Sequence, residues 1–305
     1  MFVGHACLAF AVAALGAHRL GCRRETALQV AVMAALFATL PDVDAVYGVA
    51  GLLTPAAGSG LIPVESFWDA GNRVHRGVTH ALPIGAVVAL AAALVARPET
   101  GSRLAGVSLL LALVPTVTAL SGLLTGAVTA VFVLGAAALA VGASRRGVSS
   151  GVVGTGAAVG LLTHPFGDLF TGSPPAFLYP FDGTLVVERV VLSTDPTLHL
   201  LGAFGLELAT VWLAVAAYFF VSGERPHAHV DRRAVLGVAY ASAALALPEP
   251  TLDVSYHFVF SVLAVGFVGV APPPERVRTW RAAVTALTAI SLATVAYATV
   301  YLVVA

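Results

Sequence analysis

Residues 104–120, LAGVSLLLALVPTVTAL, contain no charged side chain. Runs of the same kind recur at Leu82–Val95, Ala127–Val141 and Val284–Val304. In hydrocarbon only helices and closed barrels satisfy their own backbone, and these runs are too long and too continuous for alternating barrel strands. The expected fold class is therefore all-α, a polytopic transmembrane helical bundle. Composition agrees: of 305 residues, 58% are hydrophobic and 10% charged, where about 25% charged is usual in soluble domains.

Polar punctuation divides the chain into about ten expected spans: 4–18, 27–41, 78–96, 104–121, 122–143, 151–170, 199–221, 234–248, 255–271 and 282–304. The segment Met1–Leu15 is apolar and precedes the first arginine, Arg19, which suits a retained helix rather than a secretory signal. Arginines fall on alternate loops: Arg19, Arg23 and Arg24; Arg97 and Arg103; Arg145 and Arg146; Arg225, Arg232 and Arg233; Arg276, Arg278 and Arg281. The intervening loops hold Arg73, Arg76 and Arg189. The positive-inside rule then places a multi-pass protein in the cell membrane with both termini external. The two larger loops, 42–77 and 171–198, would share the external side, and Pro174, Pro175, Gly183 and Pro196 favour turns there. The expected division is a metal-site membrane domain over 1–198, with about six helices, and a C-terminal helical extension over 199–305 whose role stays open. No internal repeat and no soluble second domain is expected.

A formal net charge of zero gives no field to attract nucleic acid, so none is expected as a partner. Every basic residue is arginine; the absence of lysine excludes a Walker-type phosphate loop and a lysine Schiff base. Cys7 and Cys22 stand near opposite ends of the first span, too far apart for a disulfide.

The informative residues are histidines and carboxylates near membrane depth, where ionisable groups are costly and tend to be functional. They are His5; Asp42 and Asp44 in Leu40-Pro41-Asp42-Val43-Asp44; His75-Arg76-Gly77-Val78-Thr79-His80; and His164 with Asp168 in Thr163-His164-Pro165-Phe166-Gly167-Asp168. The arginine-derived topology puts all four groups on one membrane face. Imidazoles with carboxylates are ligands for zinc and also serve manganese, and a site rich in both can hold two ions. His164 and Asp168 are four apart, about one helical turn, although Pro165 threatens that spacing. Gly77 offers a break that could bring His75 and His80 together, and Arg76 could bind an anionic oxygen. The plainer reading of His5 is a solvated helix-end histidine, and that of Asp42 and Asp44 a polar loop start. His199, the pair His227 and His229 with Asp231, the pair Asp253 and His257, and Glu207 inside a span read more simply as isolated interfacial, loop or helix-contact residues.

These motifs resemble the LexA-regulated, membrane-bound predicted metal-dependent hydrolases. The likeness covers roughly residues 1–185 and rests most on His75 to His80, then on Pro41-Asp42-Val43-Asp44, then on His164 with Asp168. Pro175-Ala176-Phe177-Leu178-Tyr179-Pro180-Phe181 also looks like that family's loop after the last motif. The resemblance implies a metal-dependent hydrolase embedded in the membrane. On that basis the expected ligands are His5, Asp42, Asp44, His75, His80, His164 and Asp168, for a divalent metal, zinc first and manganese second. Asp44 would act as base or metal bridge and Arg76 would steady substrate charge. Expected partners are membrane lipid and a small-molecule or lipid-linked substrate, an ester or phosphoester. The rival readings are a cation transporter or channel, and a structural protein whose metal staples helices.

Overall fold

The computed structural model describes residues 2–48, 75–270 and 279–304. Arg73, Arg276, Arg278 and most of the 42–77 loop lie outside the described residues. All regular structure among the described residues is helical. Backbone contacts divide the chain into two compact units, Met1–Arg189 and Val190–Ala305. This division falls earlier than 198/199 because residues 190–198 are tied to the helix that follows. Leu192 N–H donates to His199 Nδ1, and the Asp195 carboxylate accepts from Leu198 N–H.

The first unit contains α1 (Phe2–Arg19), α2 (Arg24–Ala38), a 3₁₀ segment Pro41–Tyr47, a 3₁₀ turn Val78–His80, α3 (Leu82–Val95), α4 (Thr100–Arg145), α5 (Ser150–Gly167) and a 3₁₀ turn Asp168–Phe170. Helix α3 is shorter than the expected span 78–96. Ala81 is extended and Pro83 sits in the first turn, a position proline tolerates because no intrahelical N–H is needed there. Within α4, Gly122 has φ 85° and ψ 171°, a conformation open to glycine. A Cβ placed on Gly126 would stand 3.0 Å from Thr118 Cβ, whereas eight residues of straight helix cover about 12 Å. The chain therefore doubles back at Gly122, where the expected spans 104–121 and 122–143 meet.

Helix α5 packs on α2, α1 and α3. Its contact with α2 depends on Gly156 and Gly160, a small-xxx-small pair that lets backbones approach. A Cβ on Gly160 would lie 2.7 Å from Ala38 N, so no larger residue fits without separating the helices. The Ser149 side chain accepts from Val152 N–H and caps α5.

The second unit contains α6 (Pro196–Ser222), 3₁₀ segments Pro226–His229 and Arg232–Leu245, α7 (Tyr256–Ala264), a 3₁₀ turn Val265–Gly269 and α8 (Thr279–Val304). Its core gathers Leu200, Leu201, Phe204, Phe258, Val262 and Tyr297. Asp195 caps α6, and donation from Leu198 N–H, joined by the Tyr301 hydroxyl, holds its carboxyl below the ordinary value of 3.8. The cap is present above that value and is lost as pH falls through the lower folded-state value.

Among the described residues, four helices are long and apolar enough to cross a membrane: Arg24–Ala45, Thr100–Arg145, Pro196–Ser222 and Thr279–Val304. Val3–Arg19, Leu82–Val95 and Tyr256–Gly269 are shorter apolar helices. The expected span 234–248 is 3₁₀ rather than α, and 255–271 changes from α to 3₁₀ at Val265. Close packing accompanies the narrower helix: a Cβ on Gly237 would lie 2.9 Å from the Ala289 carbonyl carbon in α8.

Gly160→Val is expected to destabilise the protein by about 1–3 kcal/mol through overpacking against α2. Gly151→Ala, which meets nothing within 4 Å, should be neutral or stabilising by up to about 1 kcal/mol. Unfolding in detergent micelles checks both.

Candidate metal centre

All seven expected ligands and Arg76 lie together in the first unit. His5 comes from α1, and Asp42 and Asp44 from Pro41–Tyr47. His75 and Arg76 occupy a turn, His80 ends the 3₁₀ turn Val78–His80, His164 sits near the end of α5, and Asp168 opens the 3₁₀ turn after it. Proline at 165 does not interrupt α5, which runs on to Gly167. His164 Nε2 and Asp168 Oδ2 are 3.7 Å apart on one face.

The centre is buried. His5, Asp44, His80, His164 and Asp168 each expose 2% or less of their surface. His80 Nε2 lies 3.0 Å from His164 Nε2, 3.2 Å from Asp168 Oδ2 and 3.9 Å from Asp42 Oδ1. The same Asp42 oxygen is 3.6 Å from His164 Nε2. His164 Nδ1 is 2.7 Å from the Ala38 carbonyl oxygen. A carbonyl only accepts, so Nδ1 carries the hydrogen, and in the neutral ring Nε2 presents a lone pair.

On the other side of His164, His5 stacks on its ring at 3.9 Å and brings Nε2 to 3.3 Å from Asp168 Oδ1. Gly167 makes room, since a Cβ there would stand 2.6 Å from His5 Nδ1. Both His5 ring nitrogens and Asp168 Oδ2 are buried without a hydrogen-bond partner. Buried polar atoms without partners are costly, and a cation satisfies those that present a lone pair, the carboxylate oxygen and one His5 nitrogen. Among the described residues, three groups have ligand atoms close enough to hold an ion: His5, His164 and Asp168; Asp42, His80 and His164; Asp44, His75 and His80.

Asp44 is saturated. Its Oδ1 is 2.9 Å from His75 Nδ1, and its Oδ2 accepts from Thr79 Oγ1 at 2.9 Å and Arg76 N–H at 3.3 Å. Gly77, at φ −86° and ψ −127°, breaks the backbone before the 3₁₀ turn as expected, and Arg76 beside it is left-handed, with φ 64°. That conformation aims its N–H at Asp44 and its carbonyl at Ala176 N–H, 3.0 Å away. Its guanidinium donates to the Ser173 carbonyl and Thr171 Oγ1, each at 3.0 Å, and to Asp168 Oδ1 at 3.5 Å. The sequence reading did not single out Thr79, Thr171, Gly167 or the Ala38 carbonyl. Thr79 stands inside the His75–His80 motif and Gly167 beside Asp168, so motif adjacency was the available signal.

The other singled-out residues serve their own surroundings. His199 is in the second unit and accepts from Leu192 N–H. His229 stacks on Phe219 at 5.0 Å, with Nε2 3.8 Å from Glu224. Asp231 pairs with Arg281 at 2.7 Å. His257 packs on Tyr256 at 4.0 Å. Cys7 and Cys22 are both thiols.

Fold and centre together define an all-helical membrane protein with buried His/Asp groups that could hold a metal ion. The family model of the YdjM inner membrane protein matches residues 1–245, and the chain belongs to that family. The match continues past residue 185 into the second unit. No curated protein and no solved structure matches the chain.

Arg76→Ala removes the three guanidinium contacts to Ser173, Thr171 and Asp168. A stability loss of about 1–3 kcal/mol is expected from the polar groups left unpaired. Arg97→Ala, at an exposed position, should stay within about 0.5 kcal/mol of the parent. Denaturant unfolding in micelles distinguishes the two.

Proposed function

We propose that the protein is a membrane-embedded hydrolase working with a divalent metal ion held by His80, His164, Asp42 and Asp168, with His5 beside them. One observation carries the reading. Two buried imidazole Nε2 atoms face each other at 3.0 Å, and carboxylate oxygens of Asp42 and Asp168 stand within 3.9 Å of both. Nitrogen ligands at about 2.0–2.1 Å from zinc in a tetrahedral site lie about 3.3 Å apart, close to the separation here. The mixed nitrogen and oxygen donors suit zinc first and manganese second.

Such an ion supplies Lewis acidity for activating water and polarising an ester or phosphoester. The side chains do the rest. Arg76 holds Asp168 at Oδ1 while Oδ2 faces His80, and the Arg76 Nε is a buried donor without a partner, suited to an anionic substrate oxygen. Asp44 neighbours the same centre, and a base role would draw on its bond to His75. The likeness to membrane-bound predicted hydrolases supports the same reading. A centre enclosed among apolar helices favours a lipid-linked ester or phosphoester as substrate, with membrane lipid as neighbour. The alternation of arginines favours the external face of a multi-pass protein.

Elemental mass spectrometry of detergent-purified protein, with hydrolysis assays on phosphoesters and lipid esters, tests this. Wild type should carry stoichiometric zinc or manganese and turn over at least one substrate. His80→Ala and His164→Ala should lose both metal and turnover. Wild type that stays metal-free after reconstitution with either ion would sink the reading. Tight metal without turnover across the panel would point instead to a structural staple.

A further inference from the structure

We infer that Asp44 and Thr79 are positioning residues that fix the tautomer of His80, so that this imidazole offers Nε2 to the metal. The inference rests on the metal reading above and assigns Asp44 a place outside the coordination sphere.

Hydrogen counting carries it. Thr79 Oγ1 lies 2.9 Å from Asp44 Oδ2 and 2.9 Å from His80 Nδ1. An ionised carboxylate only accepts, so the single hydroxyl hydrogen of Thr79 goes to Asp44. The same oxygen must then accept from His80, which places the ring hydrogen on Nδ1 and the lone pair on Nε2. His164 reaches the same state through the Ala38 carbonyl. Two lone pairs therefore confront each other at 3.0 Å, an arrangement that repels until a cation lies between them. Asp44 is well placed for this work: it is fully buried and takes hydrogens from Thr79, His75 and the Arg76 backbone. A ligand histidine held through its second nitrogen by a carboxylate is a recurring way to set orientation and basicity. Here a threonine hydroxyl is interposed. Thr79 is itself 2% exposed, so water does not substitute for it.

The test is metal affinity, measured by competition with a chromogenic zinc chelator on full-length protein in micelles. Thr79→Val, which keeps shape and loses the hydroxyl, should weaken zinc about 10–100-fold as measured on the folded protein, and should also lower the metal-free thermal midpoint because Asp44 and His80 lose a buried partner. Thr79→Ser should restore wild-type affinity, which loss of packing alone would not predict. Asp44→Asn should weaken zinc while keeping wild-type stoichiometry at saturating metal. Should Thr79→Val fail to fold, Thr79→Ser and Asp44→Asn decide the matter. Wild-type affinity in Thr79→Val, or loss of a metal equivalent in Asp44→Asn at saturation, would overturn the inference and leave the metal centre standing. Wild type that binds no zinc would overturn both.

Discussion

Asp44, His80, His164 and Asp168 have almost no contact with solvent, and a buried ionisable group without a partner costs several kcal/mol. The first unit is arranged around that constraint. Several of the polar side chains drawn inside bring a counterpart from a distant part of the chain: Ala38 for His164, Thr79 and His75 for Asp44, Arg76 for Asp168. The helices cannot slide independently, because shifting α5 against α2 would break the hydrogen bond that sets the His164 tautomer. The glycine pair at 156 and 160 is thus part of the centre's chemistry as much as of the packing.

The backbone follows the same demand. Arg76 adopts a left-handed conformation that costs an ordinary residue about 1 kcal/mol or more. In return it spans Asp44 and the loop at Ala176 through its backbone and reaches Asp168 through its side chain. This one residue joins the segments before α3 and after α5, which are separated by nearly a hundred positions.

The helical membrane class was legible because uncharged runs such as 104–120 leave the backbone few alternatives. Gly122, at the boundary between two expected spans, is a true break. The expectation that His5, Asp42, Asp44, His75, His80, His164 and Asp168 share one site came from motif likeness and the arginine pattern, not from spacing. Their contacts join positions as far apart as His5 and Asp168, 163 residues along the chain, beyond any local period. Span number was less legible, because hydropathy reports how apolar a segment is and not which helix it forms; Arg232–Leu245 shows this directly. Thr79 was not legible either. A threonine between two histidines carries no sign of a bridging role until Asp44, thirty-five positions earlier, is placed beside it.

The fourteen residues of Arg232–Leu245 also have a mechanical meaning. A 3₁₀ helix rises about 2.0 Å per residue against about 1.5 Å in an α-helix. The segment is thus a drawn spring, about 7 Å longer than its α-helical form of the same length would be. With three residues per turn its side chains stand in straight columns. One column, Ala234, Gly237, Tyr240 and Ala243, is buried or half-buried, while Val235, Leu236 and Val238 are exposed. Rewinding it as an α-helix would break up that column and draw Arg232 and Arg233 at one end closer to Leu245 at the other.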